Sequence, residues 1–200
     1  MRLSVSFCAL ILTYSAFGQG LNDAVMSVAN SMEGGGYKWA SSGSPKDIYF
    51  NGEKILSKSA EGTFCSGYTF ATAFDVLHQN GKLDHLTVDQ ARWLQRNWYG
   101  TNAQSAETQC LYTLQELGLG DKVDLTDALT GDFVQFWRNN GSGHSVIFLA
   151  WLFDDSGNIS GLKYRSTQRS TNGIGDREEG IGNEASDINL DRVYIVRLSD

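Results

Sequence analysis

An α+β fold is what this 200-residue sequence predicts, on three observations. Apolar residues at helical spacing, with helix start and stop signals, are confined to the part before Gly118. After Gly131 the apolar runs become aromatic and β-branched and are separated by turn residues. Between the two parts there is no linker: the sequence holds a single proline and no long Pro, Ser or Gly run. Helices first and an antiparallel sheet second is the α+β order, with the N-terminal helices packed on the sheet.

In chain order, residues 1–18 read as a secretory signal peptide. Arg2 supplies a positive start, an apolar centre follows, and Ala16 and Gly18 satisfy the small-x-small rule for cleavage after Gly18. The apolar stretch is shorter than the roughly 20 residues a spanning helix needs, so no stable membrane insertion is expected after cleavage. Residues 19–200 then form a single domain. Val25, Met26, Val28, Ala29 and Met32 give one amphipathic helix over 21–32, stopped by Gly34-Gly35-Gly36. Residues 37–63 are irregular and polar, with room for one hairpin at Asn51-Gly52. A helix opens at Cys65 and ends near Gln79, before Asn80-Gly81. Thr87-Val88-Asp89-Gln90 resembles a capping box and starts another, carrying Ala91, Leu94, Trp98 and Tyr99. Ser105-Ala106-Glu107-Thr108 leads into a further helix with Cys110, Leu111, Leu114 and Leu117.

Four strands are expected beyond it. Residues 132–138 and 144–151 are joined through Asn139-Asn140-Gly141-Ser142-Gly143 as a hairpin. Residues 162–168 follow the turn 154–158, and residues 192–198 close the chain. Ser170-Thr171-Asn172-Gly173-Ile174-Gly175 reads as a plain surface loop rather than a substrate edge. Trp93, Trp98, Phe133, Phe136, Trp137, Phe148 and Trp151 fall at periodic apolar positions and read as core and sheet aromatics. Asp154, Asp155 and Asn158 lack EF-hand spacing and read as a turn, so no metal and no cofactor is expected.

Lys and Arg number 16 against 23 Asp and Glu, a formal net charge of −7 with no basic cluster, which argues against a nucleic-acid partner. Of three cysteines, Cys8 lies in the leader, so the mature chain keeps Cys65 and Cys110. They permit one disulfide, or one of them works as a nucleophile. Cys65 sits at a helix start, where unpaired amides and the helix dipole favour thiolate and can bind an oxyanion. Position alone leaves a nucleophile, a half-cystine and an inert thiol all open. Cys110, among Leu111 and Leu114, reads as a buried free thiol.

A cysteine nucleophile needs a base, and there are three histidines, His78, His85 and His144. His78 lies 13 residues along the Cys65 helix, roughly 20 Å away at 1.5 Å per residue. His85 falls in a polar connection beyond that helix. His144 begins a strand behind Gly-Ser-Gly, where a sheet packed on the Cys65 helix can present it to the sulfur.

Cys65-Ser66-Gly67 opening a helix, then Gly131-Asp132-Phe133-Val134-Gln135-Phe136, then Gly143-His144-Ser145-Val146-Ile147-Phe148-Leu149, resembles the NlpC-type peptidases and the related cysteine, histidine-dependent amidohydrolase/peptidases. Gly36-Tyr37-Lys38-Trp39 resembles that family's tyrosine segment upstream of the nucleophile. The resemblance implies a papain-like fold and a secreted or periplasmic hydrolase whose partners are peptidoglycan peptides or another peptide or amide substrate; a monomer is expected. It makes Cys65 the nucleophile and His144 its base. The Cys65 amide and the Tyr37 hydroxyl would line the oxyanion hole, with Ser66 in the same substrate-binding region. The third member would lie on the strand after that of His144: Gln168, with Ser166 as its competitor on the same face. Phe64 stands where the family commonly has Asp, Ala40-Ser41 where it often has two glycines, and the usual third histidine is absent. Those departures carry the alternative reading, a catalytically degenerate relative that binds wall fragments or a partner protein.

Overall fold

The computed structural model of the protein describes residues 20–200. The expected signal peptide, its cleavage after Gly18 and Cys8 lie outside the described residues. Four helices precede most of the sheet: α1 (Asn22–Asn30), α2 (Cys65–Gln79), α3 (Val88–Trp98) and α4 (Cys110–Glu116). The described residues also form nine strands: β1 (Gly34–Gly35), β2 (Ile48–Phe50), β3 (Glu53–Leu56), β4 (Gly120–Val123), β5 (Phe133–Arg138), β6 (Gly143–Phe153), β7 (Ile159–Gln168), β8 (Gly173–Gly180) and β9 (Ile188–Leu198). Seven of them form one antiparallel sheet in the order β1-β8-β7-β6-β5-β9-β4, and β2 and β3 pair separately. The fold is α+β, helices first and antiparallel sheet second.

Local signals account for most of these boundaries. Asn51 and Gly52 both have positive φ, the two-residue turn that right-twisted hairpins favour, and they join β2 to β3. At α3, Gln90 N donates to Thr87 Oγ1 at 3.2 Å while Thr87 N donates to Gln90 Oε1 at 2.9 Å, closing the capping box. In the turn before β7, Asp154 Oδ1 accepts from the amides of Ser156 and Asn158.

The core sits on both faces of the sheet. Phe133, Ile147, Ile174, Val196 and Leu198 face the helices, while Val134, Phe136, Val146, Phe148, Leu162, Tyr164 and Ile195 pack on the opposite face. Successive residues of a strand point to opposite sides, so Phe133-Val134 and Val146-Ile147 serve both layers. That is why these strands read as continuous apolar runs. α2 is the central helix, buried from Cys65 to Leu77 except at Asp75. A helix apolar on nearly all sides must be enclosed, and α1, α3, β6 and β7 enclose it.

Helix α4 begins at Cys110, and the residues that lead into it are held as a turn: Ser105 N donates to Asn102 Oδ1 at 2.8 Å, and Glu107 is bound by Arg192 and Tyr194. Two expectations are corrected. The segment read as a surface loop after Ser170 becomes a tight 3-10 turn, Arg169–Thr171, and then strand β8. β8 was not foreseen because its sequence, Gly-Ile-Gly-Asp-Arg-Glu-Glu-Gly, is charged. Beyond Ile174 it has β7 on one side only, and charges suit such an edge. The short strands β1 and β4 were not foreseen either. Trp137 is half-buried and lines a cleft instead of the core, while Trp98, Phe133, Phe136 and Phe148 are buried.

Candidate active site

Cys65 is the first residue of α2. Phe64 before it is extended and provides no side-chain cap, so the amides of the first turn are left for another partner. The turn is fixed from behind. Thr69 Oγ1 donates to the Cys65 carbonyl at 2.9 Å, and Trp98 Nε1 donates to Thr69 Oγ1 at 3.0 Å. Gly67 explains the Cys-Ser-Gly sequence: a Cβ there would stand 2.2 Å from the Gly43 carbonyl carbon, so a strand of loop lies directly on the helix start.

His144 enters from β6. Gly143 ahead of it is wedged between the Trp137 ring and the Gln135 amide, which a Cβ would meet at 2.7 and 2.9 Å. The imidazole is buried, edge-on to Phe136 and Tyr164 with ring centroids 5.7 and 5.5 Å away. Continuing the Ile147↔Arg165 pairing three residues brings Gln168 opposite His144. Gln168 lies close enough to His144 to raise its pKa. The Gln168 amide nitrogen is already taken, donating to Thr171 Oγ1 at 2.8 Å and to the Gly175 carbonyl at 3.3 Å. This leaves Gln168 Oε1 and His144 Nε2 as two buried atoms of the same site with no hydrogen-bond partner among the described residues.

Cys65, His144, Gln168, Tyr37 and Ser66 all line one cleft of about 1020 Å³. Tyr37 is held beside the nucleophile by backbone pairing, since Lys38 N donates to Thr63 O and Thr63 N to Gly36 O just ahead of Cys65. Ser166 is not in the cleft wall. It is fully buried and its hydroxyl donates to the Ser145 carbonyl at 2.7 Å, so it is not free to orient the imidazole. His78 lies at the far end of α2 against Phe50 and Phe74, and His85 is exposed.

The sulfur sits next to β6. The Ser145 amide bonds to it, as do the amides of Ser66 and Cys65, and Ser66 Oγ lies 3.9 Å away. No hydrogen bond joins it to the imidazole among the described residues. The expectation of a thiolate favoured by the helix start is corrected by burial, which raises the Cys65 pKa although all of those bonds lower it. His144 is pushed the other way, down to about 4, by burial first and then by the charge of Arg138, against Glu179 and Gln168. The resting pair is therefore a thiol and a neutral imidazole. Both cysteines are free and buried, so the disulfide alternative is not formed, and burial pushes Cys110 up to about 12.

Several cleft residues carried no signal in the sequence. Trp39, Phe64 and Tyr99 form an aromatic wall, with Trp39 and Phe64 centroids 4.8 Å apart. Gln109 and Gln135 meet at Ser145, whose hydroxyl donates to Gln135 Oε1 at 2.6 Å and contacts Gln109 Oε1 at 3.2 Å. Arg138, Arg169 and Arg177 complete the lining. Among the described residues no group of three or more His, Cys, Asp or Glu side chains is placed to hold a metal ion, and no helix is long and apolar enough to cross a membrane. Comparison of the chain with protein-family models, curated proteins and solved structures returned no match.

Proposed function

We propose that the protein is a secreted cysteine hydrolase of peptide or amide bonds with a papain-like arrangement of its site. The observation that carries the reading is the shared cleft, in which Cys65 at an uncapped helix start meets His144 and Gln168 from two adjacent strands. In this reading the imidazole Nε2 donates to the Gln168 carbonyl oxygen, and Nδ1 takes the thiol proton. As the proton passes to His144, the sulfur attacks the carbonyl carbon and the oxyanion is met by the Cys65 amide and the Tyr37 hydroxyl. His144 returns the proton to the leaving amine, which departs and leaves a thioester. Water, deprotonated by His144, then adds to the thioester and releases the acid and the thiol. Starting from thiol and neutral imidazole, proton transfer accompanies attack instead of preceding it.

Peptidoglycan stem peptides are the substrate class proposed, on the order of the Tyr37, Cys65, Gly131-Asp132 and Gly143-His144 motifs. Incubating the protein with peptidoglycan and its stem peptides, with products read by mass spectrometry, tests it. New amine and acid termini are expected from the wild type and at least a 10³-fold slower release from Cys65→Ala and His144→Ala, each folded by circular dichroism. Turnover surviving in either variant sinks the mechanism.

A second reading is a binding protein that has kept the cleft and lost turnover. It is favoured by the raised Cys65 pKa and by glutamine, Gln168, in the third position, because glutamine cannot offset imidazolium charge. The same incubation separates the two: fragments bound equally by wild type and Cys65→Ala, with no products, select the second.

A further inference from the structure

The charge of the cleft runs against the charge of the chain. In a sequence with a formal net charge of −7, the described residues that line this cleft include Arg138, Arg169 and Arg177 and no carboxylate. One acidic group stands behind them, the buried Glu179. It accepts from Arg138 Nη2 at 2.9 Å and from the Tyr164 hydroxyl at 2.9 Å, and Arg177 Nη2 lies 3.8 Å away. Glu179 thus answers one of three cations. Arg169 is exposed and has no ion-pair partner among the described residues, and it immediately follows Gln168 on the turn to β8. Its field reaches the heart of the site, since Arg169 and Arg138 both act on Tyr37 beside Cys65. One carboxylate shared by Arg138 and Arg177, with Arg169 unpaired, leaves an excess of positive charge on the wall of a partly enclosed cleft; that attracts an anion, and guanidinium geometry suits a carboxylate.

We propose that the cleft selects acyl substrates carrying a free carboxylate close to the reacting amide, with Arg169 as the principal anchor and Arg177 as its support. The inference rests on the hydrolase reading of the same cleft, but the anion site has its own readout. Full-length Cys65→Ala protein is titrated by calorimetry with two sets of N-acetylated, C-amidated tripeptides that differ only in a central Glu or Gln, each as L and D forms. Wild-type protein is assayed for cleavage of the same peptides.

At least tenfold tighter binding of a Glu peptide than its Gln partner is expected, falling with added salt and lost in Arg169→Gln. Arg169 is exposed, so its substitution leaves folding intact, and an unchanged melting temperature verifies this. Arg177→Gln should lose a smaller part of the preference. Equal affinity for Glu and Gln peptides, no binding of either at millimolar concentration, or a Glu preference that survives the double Arg169→Gln, Arg177→Gln substitution overturns the proposal. Retained Glu preference with no cleavage of any substrate instead removes the hydrolase reading and leaves the anion site standing.

Discussion

His144 is buried as a neutral imidazole, and burial of that form has a pH signature that does not depend on catalysis. Its pKa falls from 6.5 to about 4 on folding, mainly because the low-polarity surroundings disfavour the charged ring. Above pH 6.5 both folded and unfolded chains hold it neutral, and it makes no pH-dependent difference. Between pH 6.5 and 4 the unfolded chain takes up a proton that the folded chain refuses, so stability falls as pH falls. Below about 4 the loss is complete, on the order of 3 kcal/mol at 1.36 kcal/mol per unit. Urea unfolding at pH 7 and pH 4 should show that His144→Gln loses less stability than wild type by about this amount, the carboxylates being common to both. Equal losses would mean that the ring is not held neutral. At this scale the sequence made Cys65 and His144 legible, because nucleophiles and bases are rare residue types and only three histidines had to be weighed. It did not reveal that both would be held uncharged. Burial is decided by Phe136, Tyr164 and the β6 backbone, which are distant from Cys65 along the chain.

At the scale of elements, α2 carries the site, and its bounds were readable from Cys65 to Gln79 because an apolar run ended at Asn80-Gly81. Its surroundings were less readable. The Gly43-Ser44 backbone lies on its first turn, and the chain position of that loop says nothing of where it packs. Gly67→Ala tests the contact. The added methyl would meet backbone atoms at 2.2 to 2.6 Å, which cannot swing aside like the tip of a side chain. The substitution should cost about 1–3 kcal/mol through overpacking, even though alanine is the better helix former. A thermal melt would read this as a fall of about 2–4 °C per kcal/mol for a chain of this size. A melting temperature equal to or above wild type would show that the loop is free to lift. Strand β8 escaped sequence reading for a comparable reason. Its charged residues look like a loop until pairing with β7 is known, yet that pairing sets the Gly175 carbonyl and Thr171 that hold the Gln168 amide.

At the scale of the whole molecule, the Gly131-Asp132 pair was legible as a motif while its work was not. Asp132 is fully buried at the entry to β5 and ties the two ends of the described chain together. Its carboxylate accepts from Asn22 Nδ2 on α1 at 2.9 Å, from Leu129 N at 2.8 Å, and from Arg197 Nε and Nη2 on β9, both at 2.8 Å. Asn22 and Arg197 are 110 and 65 residues away on either side, separations that no local pattern encodes. Removing the carboxylate leaves the partly buried Arg197 guanidinium with only the Asp127 carbonyl and no counter-charge, and the Asn22 amide with only the Thr130 carbonyl. Breaking one partner of such a pair costs about 3–5 kcal/mol, far more than a surface ion pair contributes. Asp132→Ala should therefore lose about that much in urea unfolding, and Asp132→Asn less, since its amide oxygen still accepts from Asn22 and Arg197. Because Asp132 does not line the cleft, the folded fraction of Asp132→Asn should retain the wild-type reactivity of Cys65 toward a thiol reagent. An Asp132→Ala protein as stable as wild type would mean that α1 and β9 are held by apolar packing alone, with the buried bridge adding nothing beyond its own desolvation.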